Sequence, residues 1–313
     1  MGFGFQIPGH EFPGAEPDET FDRILELATA AEASGWASVW VMDHFWQLPP
    51  LGGPTHPILE GWTLLGALAA RTERVQLGTL VTGVTYRNPA LVAKMATTLD
   101  VISHGRAICG LGAAWYDVEH VGLGFDYPRD GVRLDMLEEA LQICRLMFTE
   151  DAPSFEGAHY RIQDAHNLPR PLRGDIPILV GGGGEKRTLR LVAQYADACN
   201  VHGDPDIIRH KMAVIDRHCA DVGRDPAEIR RTWGGTLFLT ETAEEAAGFE
   251  AMLRPAAGAE YDTNFIVGDE AAVVDKVAAL VDAGIDDFIV NMPTMPPSTV
   301  ERAGRILTDR FGA

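Results

Sequence analysis

Four stretches of this chain place reactive or ligand-accommodating residue types where apolar runs end. Asp43-His44 directly follows the run Ser38 to Met42. An imidazole at a strand end can hydrogen-bond a ligand or shuttle a proton near neutral pH. It can also serve only to satisfy backbone groups. Adjacent strand residues point to opposite faces, so Asp43 and His44 make a poor metal pair and no metal site is expected. Thr82-Gly83-Val84 breaks the run Val75 to Val81, with Gly83 marking a bulge or a close backbone approach. Gly110-Leu111-Gly112-Ala113-Ala114-Trp115 ends another run. Its small residues admit a planar ligand, and Trp115 can wall a pocket or simply join the core. Gly181-Gly182-Gly183-Gly184-Glu185-Lys186-Arg187 opens a helical stretch. Free backbone N–H groups and the helix dipole favour an anion such as phosphate there, and glycines let it approach without Cβ clashes. The alternative is a flexible loop with a solvated basic face. The spacing is not that of a nucleotide-triphosphate loop. Trp46 and His202 lie near further run ends and are candidate pocket residues. Patterns for serine hydrolases, zinc proteases and calcium loops do not occur.

The elements that must position these residues are legible as periodicity. Strands are expected at 3–7, 38–42, 75–81, 106–110, 176–180, 198–201, 232–240 and 288–291. Between them run amphipathic stretches with recognisable stops and caps: Gly35 after the first helix, Asn88-Pro89 before the third, and a capping box at Thr242-Ala243-Glu244-Glu245. The third helix is expected to bury Leu91, Val92, Met95, Leu99 and Ile102, and the fifth to run from Glu185 to Tyr195. Residues 149–175 form a small insertion with a hairpin around Gly157, expected on the face away from the site. Eight alternating repeats without a Gly/Ser linker predict one α/β domain over 1–313, a (β/α)8 TIM barrel with insertions, with its site at the strand C-ends. A doubly wound open sheet is the alternative.

The length of 313 residues suits one large barrel, and 46% hydrophobic residues is ordinary for a globular chain. A formal charge of −19 argues against nucleic-acid and anionic-membrane partners. Cys109, Cys144, Cys199 and Cys219 form no paired motif and read as buried reduced thiols. The start MGFGFQIPG has no basic n-region or long apolar core, so a cytoplasmic protein without a signal peptide is expected.

The stretch TLVTGVTYRNPALVAKMATTLDVISHGR, with the runs around it, resembles the luciferase-like superfamily of flavin and deazaflavin oxidoreductases, in its coenzyme F420 branch. The likeness extends from Phe3 to about Val201 and more weakly beyond. It implies hydride transfer between C5 of the deazaflavin F420 and a small organic substrate. The alternatives are an FMN-dependent monooxygenase and a flavin-binding protein without turnover. It puts His44 at the reactive edge of the ring as the catalytic residue. The expected cofactor contacts are Asp43, Thr82, Gly83, Val84, Gly112, Gly181, Gly182, Gly183, Gly184 and Glu185. Thr82-Gly83-Val84 would back the ring, often with a non-proline cis peptide, and the glycine loop would hold the phosphate. Trp46, Trp115 and His202 are the expected substrate-pocket residues. Some sugar dehydrogenases of this superfamily carry a glutamate where this chain has Ala113 and Ala114, which weakens a sugar-dehydrogenase reading. The family commonly dimerises near strands 2 to 4, and the apolar second helix (Trp62, Leu64, Leu65, Leu68) suggests a homodimer.

Overall fold

Short apolar, β-branched runs alternate with amphipathic stretches, and each run becomes a strand buried on both faces. The computed structural model describes residues 1–258, 261–293 and 295–312. The first half runs β1 (Gly2–Ile7), α1 (Thr20–Ala33), β2 (Ser38–Val41), α2 (Gly61–Ala69), β3 (Gln76–Thr79), β4 (Thr82–Gly83), α3 (Pro89–Ile102) and β5 (Ala107–Gly112). Then come α4 (Asp117–Leu123), α5 (Asp130–Thr149), β6 (Phe155–Glu156), β7 (Arg161–Ile162), β8 (Ile178–Gly181), α6 (Thr188–Tyr195) and β9 (Ala198–Val201). The chain ends with α7 (Pro205–Val222), β10 (Arg230–Leu239), α8 (Ala243–Ala257), α9 (Tyr261–Asn264), β11 (Phe265–Gly268), α10 (Glu270–Asp282), β12 (Asp287–Asn291) and α11 (Pro297–Phe311).

Among the described residues, eight parallel strands close into a barrel. Their order is β1-β2-β3-β5-β8-β9-β10-β12, and β12 returns to β1 with Phe3 opposite Phe288. The barrel is therefore closed, as the eightfold alternation predicted, and the open-sheet alternative falls. Its interior is filled by Trp40, Leu179 and Ile289, with Leu80, Val81, Ile108 and Ala198 against them. The Trp40 indole fits because its neighbours lack side chains: a Cβ on Gly4 or on Gly78 would sit 2.7 Å from it. Outside, the helices bury a continuous shell over the barrel wall. Each fully buried Leu, Ile, Val or Phe there stabilises the fold by about 1.5–3 kcal/mol relative to exposure.

Several expectations change. β10 outruns the barrel, and its upper half pairs with the unforeseen β11, Thr236 opposite Phe265. In α3, Val92, Leu99 and Ala96 are buried, whereas Leu91 is 52% and Ile102 40% exposed. Val92, Ala96 and Leu99 form the stripe that faces the barrel, Met95 packs partly buried at its edge, and Leu91 and Ile102 lie outside it. The apolar residues of α2, Trp62, Leu64, Leu65 and Leu68, are all buried in this chain's own core, so they carry no evidence of a partner. Residues 185–187 form a turn, so α6 begins at Thr188 rather than Glu185.

The hairpin β6–β7 also lies differently. Glu139 on α5 accepts the N–H groups of Ala158, His159 and Tyr160 at 2.7–3.2 Å. With the hairpin tip pulled onto α5, Tyr160 Oη donates to Val84 O at 2.9 Å, just beyond β4 at the strand C-ends. The insertion therefore reaches the site side. The four cysteines are buried and unbridged. No described helix is long and apolar enough to cross a membrane.

Candidate active site at the barrel mouth

The strand C-ends bring most of the singled-out residues to one rim. At its centre is Val81, which follows a cis Leu80-Val81 peptide. Its isopropyl group is ringed by glycines: a Cβ on Gly112 would come within 2.6 Å of it, on Gly181 within 2.9 Å and on Gly110 within 3.2 Å. Small residues on two neighbouring strands, β5 and β8, thus leave a flat floor around it. Val81, not Val84, holds the central place; Val84 is 3% exposed and packs into the helical shell. The non-proline cis bond expected near Thr82-Gly83-Val84 lies just ahead of it, at Leu80-Val81. Thr82 turns inward, its hydroxyl accepting from Trp62 Nε1 at 3.0 Å and meeting Thr79 Oγ1 at 2.8 Å. Gly83 fits between Tyr86 and Ala114.

β2 delivers Asp43 and His44. Asp43 is sealed, its side chain 1% exposed, and its carboxylate meets Arg87 Nη1 at 2.7 Å. Arg87 also reaches Glu60, whose carboxylate caps α2. Burial lifts the Asp43 pKa to about 6, a rise that the Arg87 charge only partly offsets. Asp43 therefore braces the loop beneath His44 rather than facing the mouth.

His44 is 14% exposed at its side chain and packs edge-on against Trp115 at 5.6 Å and Tyr116 at 5.8 Å. Its Nδ1 lies 3.1 Å from Glu119 Oε1. Glu119, on the short helix α4, is a candidate that sequence reasoning did not single out. It is 0% exposed. Its Oε2 accepts from Phe45 N and, at 2.6 Å, from Trp46 N, and Tyr86 Oη donates to Oε1. Burial pushes its pKa up, but hydrogen bonds from His44, Tyr86 and Trp46 N outweigh this and hold it below the usual carboxylate value. Burial and the Glu119 carboxylate in turn push the Tyr86 phenol above its usual range. Beside it, His120 stacks on Tyr86 at 4.5 Å and bonds Thr85 Oγ1 at 2.6 Å. An acid in a first helical turn is common on solvated helices, so nothing in the sequence separated Glu119 from a surface residue.

Trp115 is 59% exposed beside His44, a large ring left open at the rim. Ala114 before it has φ 60°, the left-handed turn that takes the chain from β5 into this wall. Trp46 lies against Gly122, where a Cβ would come within 1.8 Å of the indole. His202 ends β9, with Nδ1 donating to Gly234 O at 2.6 Å.

The glycine loop follows β8. Gly182 has φ 122°, a conformation side chains rarely adopt. Lys211 on α7, which the sequence did not single out, donates to Gly183 O at 2.9 Å. The first turn of α6 has no side-chain cap. Arg187 is committed elsewhere, to Asp135 at 2.7 Å and Gly131 O at 3.0 Å. Glu185 meets His210 Nε2 at 3.0 Å and points to α7. Among the described residues, no cluster of His, Cys, Asp and Glu is arranged to hold a metal.

Comparisons with known proteins agree with this architecture. A protein from Segniliparus rotundus named F420-dependent glucose-6-phosphate dehydrogenase is 36% identical over 305 residues, 87% of this chain and 88% of that protein. One of the same name from Amycolatopsis mediterranei is 36% identical over 174 residues, 55% of this chain and 50% of that protein. Across several such relatives the aligned part of the chain spans only about half of their length. The F420-dependent tetrahydromethanopterin reductase of Methanopyrus kandleri shares the fold, with a TM-score of 0.78 at 18% identity over 99% of this chain and 97% of that one. Residues 1–254 match the family described as luciferase-like monooxygenase, and the chain belongs to that family.

Proposed function

We propose that this chain is an F420-dependent oxidoreductase that moves a hydride between C5 of the deazaflavin and a small organic substrate. The observation that carries the reading is the mouth itself: Val81 ringed by Gly110, Gly112 and Gly181, with His44 at its edge. A flat tricycle needs such a floor, and a Cβ on Gly112 or Gly181 would collide with Val81, one on Gly110 with Thr79 O. The uncapped first turn of α6, the glycine loop and Lys211 fit the phosphate end of the same cofactor. Bound there, the deazaflavin supplies a two-electron hydride centre. The protein's part is to orient the ring, exclude water with Trp46 and Trp115, and hold or accept a proton at His44.

The names of the relatives support F420, whereas the family description favours the second reading, an FMN-dependent monooxygenase on the same floor. Titrating the protein with F420 and with FMN side by side separates the two. Tight binding of FMN with none of F420 overturns the proposal; binding of F420 without any hydride transfer leaves a carrier rather than an enzyme. The sugar substrate in the relatives' names is not carried over, because Ala113 and Ala114 offer no acid at the rim and Glu119 is committed internally. We further propose that two copies associate through α3, and that the protein works in the cytoplasm, where its four buried thiols stay reduced.

A further inference from the structure

The strand order decides what faces the floor around Val81. In the ring β1-β2-β3-β5-β8-β9-β10-β12, β1 stands four strands from β8, and β12 four strands from β5. The β12–β1 edge is therefore the wall across the barrel from Gly110, Gly112 and Gly181. Three polar side chains share one row of it. Gln6 on β1 lies opposite Asn291 on β12, and Asn291 opposite Thr236 on β10. Register partners on parallel strands point to the same face. That face is the barrel interior, because Phe5, Ile7, Phe288 and Val290 enter the outer shell, whereas Ile289 enters the interior cluster.

Gln6 is 8% exposed, and Asn291 and Thr236 are half-buried. Among the described residues, none of these three side chains makes a hydrogen bond. The fully sealed polar side-chain atoms without a partner there are Asn167 Oδ1 and Asn264 Oδ1, so the Gln6 amide opens onto the mouth. A nearly buried amide left in this state costs free energy that hydrogen bonds to a ligand would recover.

The row also carries no charge. Asp43 is paired with Arg87, and Glu119 is held by His44, Tyr86 and two backbone N–H groups. The Lys211 ammonium lies on the far side, at the loop after β8. An anion pressed against Gln6 and Asn291 would lose its hydration without gaining a counter-charge. Each primary amide instead offers an NH2 donor and a carbonyl acceptor. The complementary partner is a neutral group with an acceptor and a donor side by side, as in a carboxamide or a lactam.

We propose that Gln6 and Asn291, with Thr236 beside them, form the substrate-recognition wall of the mouth. They select an uncharged compound with an amide-type edge, held between this wall and the floor around Val81. The assignment rests on the reading of that floor as the place of the deazaflavin. The pyrimidine edge of that ring carries the same donor–acceptor chemistry. The geometry favours the substrate, because a ring spread over the β5 and β8 glycines turns its face, not its edge, to the opposite wall.

The test is calorimetric titration of the full chain, with and without F420, against three planar probes of similar size. These are 2-pyridone, which has the amide edge, N-methyl-2-pyridone, which lacks the donor, and benzoate, which is anionic. Wild type should bind 2-pyridone at least about tenfold more tightly than either of the others. In folded Gln6→Leu and Asn291→Leu, 2-pyridone should weaken by about tenfold or more, with the Kd for F420 changing far less. Benzoate bound as tightly as 2-pyridone by wild type overturns the proposal even if no variant folds. An unchanged affinity for 2-pyridone in folded Gln6→Leu does the same. A Gln6→Leu that weakens F420, together with 2-pyridone that merely displaces F420 from wild type, gives the wall to the cofactor's pyrimidine and also overturns it. A wild type that prefers 2-pyridone as expected but binds no F420 refutes the deazaflavin reading while leaving the wall in place.

Discussion

At the residue scale, 75 positions of chain separate His44 from Glu119, yet each fixes what the other can do. If His44 accepts the proton that accompanies hydride transfer, His44→Ala should lower kcat by roughly 10²–10⁴-fold. Cofactor affinity should change less, because the floor around Val81 and the glycine loop are untouched. Single-turnover hydride transfer at the wild-type rate in that variant would take His44 out of the reaction. Asp43 gives a second expectation, read through pH. Its folded pKa of about 6 lies above the ordinary aspartate value, because burial favours the neutral form. The native state therefore binds the extra proton between about pH 4 and 6, and this group's contribution to stability falls as pH rises through that window. Glu60 and Glu119 work the other way: burial raises their pKa values, but their hydrogen bonds outweigh it and leave both lowered, so their contribution is kept until pH falls below the carboxylate range. Denaturant unfolding of wild type and Asp43→Asn at pH 7 and pH 5 reads the difference. Wild type should gain on the variant, by on the order of 1 kcal/mol or more, as pH falls; a constant gap contradicts the assignment. His44 was legible because a strand end announces itself in sequence. Glu119 was not, because its burial exists only once residues 43–46 have folded onto α4. The break at Gly83 was visible in the sequence; the place of Val81 among Gly110, Gly112 and Gly181 was not.

At the element scale, the eight barrel strands were readable because strands covered on both faces must be continuously apolar, and the runs of this chain are. The ends of elements were harder. The turn 185–187 precedes α6 because Arg187 and Glu185 find partners on α5 and α7 instead of joining the helix. The hairpin was placed away from the site because an insertion between a helix and the next strand starts there. Three backbone N–H groups on one Glu139 carboxylate then pull its tip to the other end, a long-range contact without a local signal. The glycine loop yields its own prediction. At Gly183 a Cβ would meet Lys211 Nζ at 2.6 Å, the far end of a flexible side chain that can move aside. Gly183→Val should thus keep the fold and its circular dichroism but displace Lys211 and crowd an incoming phosphate. F420 binding should weaken at least tenfold, about 1.4 kcal/mol. An unchanged Kd in a folded variant removes the phosphate from this loop.

At the scale of the whole molecule, the closed barrel consumes almost every apolar surface the sequence offered. Among the large apolar side chains left exposed, which also include Val118, Val121, Leu123 and Met252, two places bear on function. One is Trp115 at the mouth, beside His44. The other is the outer stripe of α3, where Leu91 is 52% exposed and Ile102 40%. The segment Leu168–Leu172 runs along the same helix, tied by Lys94 to Leu168 O and by Leu172 N to Asp100 at 2.8 Å, and it leaves Leu168 63% and Leu172 54% exposed. Scattered exposed apolar side chains need no explanation, but these three leucines and Ile102 lie on two segments tied to each other, a gathering of the kind that marks an interface. The resemblance suggested a dimer near strands 2 to 4, and the sequence pointed to α2 as its surface. The burial of α2 in its own core moves the argument one helix along, to α3, because amphipathic periodicity shows that a helix has an apolar side without showing which of two adjacent apolar stripes the barrel takes. Light scattering at micromolar concentration should therefore give twice the chain mass of 34.0 kDa. Leu91→Arg together with Leu168→Glu should give the single-chain mass without loss of helical signal, since both side chains point away from the core. A wild-type monomer at that concentration refutes the assembly. A dimer that survives both substitutions places the interface on another face.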